Sequence, residues 1–303
     1  MKRKYGFVTV LLLVLLLAGV GLTRLYVANE SGKEQEQFKV VTSFYPMYIA
    51  ALNVIGDSSG VVLENLSEPQ TGCLHDYQLT PADMKLLSTA DVFVVNGGGI
   101  ESFLSDVAES YPDLTVVNAS ENVNLLTEEE EEGAENAHAW MNIPDYMEQV
   151  QTIADGLAEK DASHADIYQE NAKTYLKKLS ALEEDASEAE QLASGTDIII
   201  FHEAYAYVAQ EYGMNVVYTL DLDEERQVSA GEVADVVEQI QDHGVKIVLA
   251  EELYGKDMGD TIERETDAKV YYLDTLVRGE YDADSYLDAM KENIRILKEA
   301  FSQ

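Results

Sequence analysis

The chain has few side chains of high chemical potential: five histidines and one cysteine among 303 residues. Cys73 and His75 share one stretch, Thr71-Gly72-Cys73-Leu74-His75-Asp76-Tyr77-Gln78-Leu79-Thr80-Pro81-Ala82-Asp83. This reads as a loop that delivers a histidine and then starts a helix. Thr80 is a good N-cap, Pro81 suits the first helical position, and Asp83 stands where a capping box needs its acid. His138 and His202 fall in comparable places, His202 directly after an apolar strand-like run. Asp274 ends another such run. In open parallel sheets, ligands bind beyond the carboxyl ends of the strands, and these four positions suit that geometry. Three imidazoles and one carboxylate make a tetrahedral N/O set suited to zinc. The alternative is three unrelated histidines. His164, among polar residues of a long helical pattern, and His243, in the last turn before Gly244, serve as controls and read as structural.

These ligands need elements to carry them. Runs rich in β-branched and aromatic residues at 38–44, 61–66, 91–96, 114–118, 197–201, 215–220, 246–250 and 269–273 predict strands. Helical spacing covers 47–55, 84–89, 101–110, 144–160, 203–212, 229–243, 257–266 and 285–301. Residues 163–192 form one uninterrupted helical pattern, with Ile167, Ala172, Tyr175, Leu176, Leu179 and Leu182 on one face. At 1.5 Å per residue, roughly 30 residues would reach about 45 Å, which is long for a globular helix. Strand–helix alternation with short connections implies parallel sheets covered by helices. The predicted fold is α/β: two lobes, each with a mainly parallel sheet flanked by helices, joined by one long rigid connecting helix. Residues 38–143 form the N-terminal lobe, 144–195 the connecting helices and 196–303 the C-terminal lobe.

Gly97-Gly98-Gly99 follows a strand but lacks the spacing of a nucleotide fingerprint, so it is expected to be a tight turn. Thr127 precedes five glutamates at 128–132 and Gly133. This run is expected to be a solvated loop, with weak collection of cations as the sharper alternative.

Lys+Arg total 20 against Asp+Glu 57, a net charge of −37. Such acidity argues against nucleic acid and anionic lipid as partners and is compatible with cation capture, solubility of an exported protein being the alternative account. Lys2, Arg3 and Lys4 precede an apolar run, 7–22, so the chain is expected to be exported. Residues 1–28 would be a signal peptide or N-terminal membrane anchor, followed by a polar spacer, 29–37. No cysteine follows the apolar run to accept a lipid. With a single cysteine, no intramolecular disulfide forms. Cys73 reads as a small, half-buried residue, notable for standing beside His75.

Four regions together resemble a known family: Gly-Cys-Leu-His75-Asp-Tyr-Gln-Leu-Thr-Pro-Ala-Asp; Ala-His138-Ala-Trp-Met-Asn; Phe-His202-Glu-Ala-Tyr-Ala-Tyr-Val-Ala-Gln-Glu-Tyr-Gly; and Ala-Glu251 with Tyr-Tyr-Leu-Asp274-Thr-Leu. They are similar, in order, to the signature regions of the substrate-binding proteins of zinc and manganese ABC transporters, the cluster A-I group. The resemblance runs from about Phe38 to the C-terminus. It implies metal bound between two lobes by His75, His138, His202 and Asp274, and delivery to a membrane ABC permease; some members are also described as adhesins. A histidine at the third position goes with zinc in this family, a carboxylate with manganese, so His202 implies Zn²⁺ ahead of Mn²⁺. Glu203 is one residue away and competes for that assignment. Glu251 is implied to orient a histidine. The chain departs from the family in having a glutamate-rich loop where many members are histidine-rich, in lacking a lipid-acceptor cysteine, and in Leu74 where many carry Pro. A monomer on the outer face of the cytoplasmic membrane, anchored or secreted, is expected. No His-Glu-x-x-His motif is present and four protein ligands would leave no open position for water, so the chain is expected not to be an enzyme.

Overall fold

The computed structural model describes residues 37–68, 73–75, 77–127, 134–222 and 226–302. The chain divides into Met1–Phe38 and Lys39–Gln303. The expected export segment lies outside the described residues, as do the glutamates at 128–132. No described helix is long and apolar enough to cross a membrane.

Two four-stranded sheets organise Lys39–Gln303. In the first, β1 (Phe38–Thr42) and β3 (Val92–Val95) are central, with β2 (Val61–Asn65) and β4 (Thr115–Asn118) outside, in the order β2-β1-β3-β4. β1 pairs with β3 in parallel, Val41 opposite Phe93, and β3 pairs with β4 in parallel. The second holds β7 (Asp197–Ile200), β8 (Asn215–Thr219), β9 (Ile247–Ala250) and β10 (Lys269–Tyr272) in the order β10-β9-β7-β8, again with parallel pairs. β3 and β9 are buried along their whole length, which explains their unbroken apolar sequences. Each order reverses direction at its centre, at β1/β3 and at β9/β7, and such reversals open a crevice beyond the strand ends.

The helices are α1 (Tyr45–Ile55), α2 (Pro81–Leu87), α3 (Leu104–Ser110), α4 (Ile143–Lys160), α5 (Ala165–Ala193), α6 (Tyr205–Glu211), α7 (Ala230–His243), α8 (Glu252–Glu265) and α9 (Ser285–Phe301). The predicted strands are found within one or two residues at each end. α8 starts five residues before the expected Asp257, because Glu252 to Lys256 continue the helix straight from Glu251. α5 joins the lobes as a single helix of 29 residues, about 43 Å long. Its buried face is Tyr168, Ala172, Tyr175, Leu179, Leu182, Ala186, Ala189 and Ala193, alternating steps of four and three. Ile167, placed on that face by the sequence pattern, is 45% exposed, and Tyr168 takes its place. The regular spacing from 168 onward fixes the phase and turns 167 outward. α5 packs on α4, α1 and α9, and so touches both lobes.

The glycine turn after β3 is a tight connection. Gly97, Gly98 and Gly99 have φ of +85°, +64° and +88°, and a Cβ on Gly97 would lie 2.0 Å from Asn118 Oδ1. The amides of Asn96 and Gly97 donate to the buried Glu101 carboxylate at 2.7 and 3.1 Å, and Ser43 Oγ donates to it at 2.8 Å. Donors that would cradle a phosphate are thus occupied by the chain itself, and burial raises the pKa of Glu101.

Candidate metal centre

His75 lies in the loop between β2 and α2. The Leu74 side chain is fully buried, and the Tyr77 amide donates to the Leu74 carbonyl at 3.0 Å, closing a turn around His75. Downstream, the Asp83 amide donates to Thr80 Oγ1 and the Thr80 amide donates to Asp83 Oδ2, the expected capping box. The Tyr77 hydroxyl donates to Asp83 Oδ2 at 3.1 Å, which ties the loop to the cap. Ser102 Oγ donates to the His75 carbonyl at 3.3 Å.

His138 follows a feature that periodicity could not reveal. β5 (Leu126–Thr127) and β6 (Glu135–Asn136) form a two-residue antiparallel ladder with the glutamate run between them. Asn136 is buried, and its Oδ1 lies 3.0 Å from both the His138 amide and His138 Nδ1. A carboxamide oxygen only accepts, so Nδ1 carries the proton and Nε2 presents its lone pair. Asn136 Nδ2 donates to the Glu203 carbonyl at 3.0 Å, and the Tyr207 hydroxyl donates to the Asn136 carbonyl at 2.6 Å. Asn96 Nδ2 donates to the Ala137 carbonyl at 2.8 Å, linking His138 to the end of β3.

His202 stands two residues beyond β7, at the reversal point of the second sheet, and is 1% exposed. Its Nδ1 accepts from the Ala204 amide at 3.1 Å, while its buried Nε2 has no hydrogen-bond partner among the described residues. Burial holds the His138 imidazole well below its ordinary pKa, with the charges of His202 and His75 adding to the effect. Burial lowers His202 to about 3, assisted by His75 and Arg278. Both rings are therefore neutral near pH 7 and need lose no proton charge to accept a cation.

The histidines converge. His75 Nε2 and His138 Nε2 are 3.5 Å apart, and the His138 and His202 ring centroids are 5.0 Å apart and nearly perpendicular. Two nitrogens each about 2.1 Å from one tetrahedral ion would be separated by about 3.4 Å. Glu203 Oε1 lies 3.3 Å from His138 Nδ1 and 3.8 Å from His75 Nε2. Cys73 Sγ is 3.7 Å from His138 Nε2. Among the described residues, two groups of ligand atoms lie within 4.8 Å of one another: His75, His138 and Glu203, and Cys73, His138 and His202.

Asp274 is in neither group. It follows β10 as expected, and Asn293 clamps its backbone, accepting from the Asp274 amide and donating to its carbonyl, both at 2.8 Å. Its Oδ1 accepts from the Leu276 amide at 2.7 Å. Leu276 sits at φ +60°, a costly conformation for a branched residue. Asp274 lines a cleft with Glu251 and Arg278. Glu251, implied by resemblance to orient a histidine, instead accepts from Arg278 Nη1 at 2.7 Å. That pairing spans 27 positions and leaves no local trace in sequence. His164 precedes α5 rather than lying on it, with Nδ1 2.6 Å from Asp161 Oδ2. His243 is the last residue of α7, before Gly244 at φ +66°. Both belong to helix ends.

Hydrogen bonds also run between the lobes. Trp140 Nε1 donates to the Thr275 carbonyl at 2.9 Å, and the Tyr286 hydroxyl donates to the Trp140 carbonyl at 2.8 Å. The Tyr45 hydroxyl donates to the Glu280 carbonyl at 2.8 Å.

A family model described as "Zinc-uptake complex component A periplasmic" matches residues 40–300. The manganese-binding lipoprotein MntA of Halalkalibacterium halodurans is 29% identical over 312 residues, with 100% of both chains covered. The high-affinity zinc uptake system protein ZnuA of Bacillus subtilis is 29% identical over 283 residues, covering 88% of each chain. Among solved structures, the SBP FpvC of Pseudomonas aeruginosa in complex with Ni²⁺ superimposes with a TM-score of 0.78 at 27% identity, covering 88% of this chain and 97% of FpvC.

Proposed function

The chain belongs to the family of periplasmic zinc-uptake components, which are metal-binding receptors of ABC uptake systems and not enzymes, and from that premise we propose that it captures Zn²⁺ between its two lobes and delivers it to a membrane ABC permease. His75, His138, His202 and Asp274 are the proposed ligands. The observation that carries the reading is the 3.5 Å approach of His75 Nε2 and His138 Nε2, close to the edge of a tetrahedral zinc site. The imidazole at position 202 adds a borderline donor that suits zinc better than manganese. Asp274 would complete the set through movement of its loop, where the Leu276 backbone already holds strain.

The manganese-type reading has its own support. Glu203 offers a carboxylate oxygen 3.8 Å from His75 Nε2, and a His75–His138–Glu203 set is harder than one built on His202. MntA, covered end to end, is named for manganese. We further propose that 1–28 exports or anchors the chain and 29–37 spaces the receptor from the membrane. Lobes at 38–143 and 196–303 would be joined by 144–195, and the receptor would work as a monomer at the outer face of the cytoplasmic membrane. Metal analysis of protein purified without added metal, with a zinc–manganese competition, tests the cargo. His202→Ala should cut zinc affinity by about tenfold or more. Unchanged stoichiometry and affinity would remove His202 from the site.

A further inference from the structure

Cys73 and His75 flank one buried anchor, Leu74, and both come within ligand distance of the same nitrogen. Cys73 Sγ is 3.7 Å from His138 Nε2, the atom that also faces His75 Nε2. For a tetrahedral zinc with a Zn–S bond of about 2.3 Å and a Zn–N bond of about 2.05 Å, the sulfur and nitrogen stand about 3.6 Å apart. The ligand atoms of Cys73, His138 and His202 lie mutually within 4.8 Å. An independent observation concerns the third member of that group: among the described residues, the buried His202 Nε2 has no hydrogen-bond partner, its Nδ1 being engaged by the Ala204 amide. Asp274, by contrast, is in neither converging group, with Oδ1 accepting from the Leu276 amide.

We propose that Cys73 is a metal ligand, its thiolate joining His138 and His202 on the cation, so that the receptor has a sulfur-containing donor set selective for Zn²⁺ over Mn²⁺. This rests on the reading that the histidines hold a cation. On coordination the thiol gives its proton to solvent and the sulfur lone pair goes to the metal, with no change of oxidation state. Thiolate is a soft ligand that favours zinc and contributes little to a hard ion such as Mn²⁺. The sulfur fills a tetrahedral position without any movement of the Asp274 loop, so ion capture would begin on the His–Cys face.

Cobalt(II) provides the test, on the full exported chain kept reduced. Visible d–d bands report occupancy by a tetrahedral ion, and a near-ultraviolet thiolate-to-cobalt charge-transfer band reports sulfur in the shell. The wild type should show both. Cys73→Ser and Cys73→Ala should keep the d–d bands and lose the charge-transfer band. Their preference for zinc over manganese should fall by about tenfold or more. A wild-type spectrum with d–d bands and no charge-transfer band would overturn the thiolate while leaving the histidine reading standing. Failure of the wild type to bind cobalt, or binding unaltered in His138→Ala, would overturn both. The decisive measurement is on the wild type, so it does not depend on either variant folding.

Discussion

Asn136 does more than its exposure or sequence position suggests. One carboxamide orients His138 through Nδ1 and holds the Glu203 carbonyl through Nδ2, so it ties the ligand loops of both lobes together. Partners of this kind hold a ligating imidazole in the right tautomer, and their loss costs about 10–100-fold in affinity. Asn136→Ala should therefore weaken zinc binding within that range, and Asn136→Asp should recover much of it, because a carboxylate still accepts from Nδ1. Competition titration against a chromophoric chelator measures both. Equal affinity in Asn136→Ala and wild type would reduce Asn136 to a hairpin residue. Nothing in the sequence marked this residue. The two-residue ladder that positions it is too short to show alternation, and its role depends on contacts 67 positions away. His202 and His75 were legible from their elements, one just after an apolar strand and the other beside a strong helix cap, whereas His138 follows a ladder that periodicity does not reveal.

At the scale of elements, capping chemistry and strand composition were the clearest signals. The box at Thr80 forms as its spacing implies, and Ser229 with Glu232 forms a second at the start of α7. The junction of α4 and α6 was hidden. There Glu211 Oε2 accepts from the Ile143 amide at 3.0 Å, at the N-terminus of α4, while Oε1 is buried without a partner among the described residues. The amide and the helix terminus favour the carboxylate, but burial dominates and pushes the Glu211 pKa up to about 8, helped by the charges of Glu183, Asp145 and Glu190. The folded chain then holds a proton that the unfolded chain has lost above its ordinary carboxyl range. Stability must fall as pH rises from about 4.5 to about 8. Glu211→Gln keeps the acceptor for Ile143 and removes the titration. Its stability should be flatter over that window and exceed wild type by several kcal/mol, up to about 5 kcal/mol, at pH 8.5. Asp145, raised to about 6 by burial, slopes both proteins alike, so their difference isolates Glu211. Parallel denaturant midpoints for the two proteins across pH would defeat the prediction.

For the whole molecule, the net charge of −37 creates a field that draws cations and repels anionic partners. In sequence, the glutamates at 128–132 fall between β5 and β6, and β6 ends in Asn136, two residues before His138. Deleting those five should leave equilibrium zinc affinity unchanged and slow ion capture at low ionic strength, by about twofold or more. The difference should shrink with added salt as charges beyond about 10 Å are screened. Stopped-flow capture rates at two salt concentrations check this, and identical rates would make the run an ordinary loop. α5 and the Trp140–Thr275 and Tyr286–Trp140 bonds brace the two lobes. Adjustment to an ion therefore falls to the loops at 73–75 and 274–278.

The amide of Ala204 gives His202 a second suitor. An ion taking a nitrogen of this ring must make it change tautomer or turn over, and the 3.1 Å contact to Ala204 is then surrendered. Giving up one such hydrogen bond costs about 1 kcal/mol, or roughly fivefold in affinity. A storage protein would be poorly served by that arrangement, but a courier gains from it. Release of an ion from the proposed His202 ligand lets the Ala204 amide reclaim Nδ1, so the hand-over runs toward a state the empty receptor already occupies.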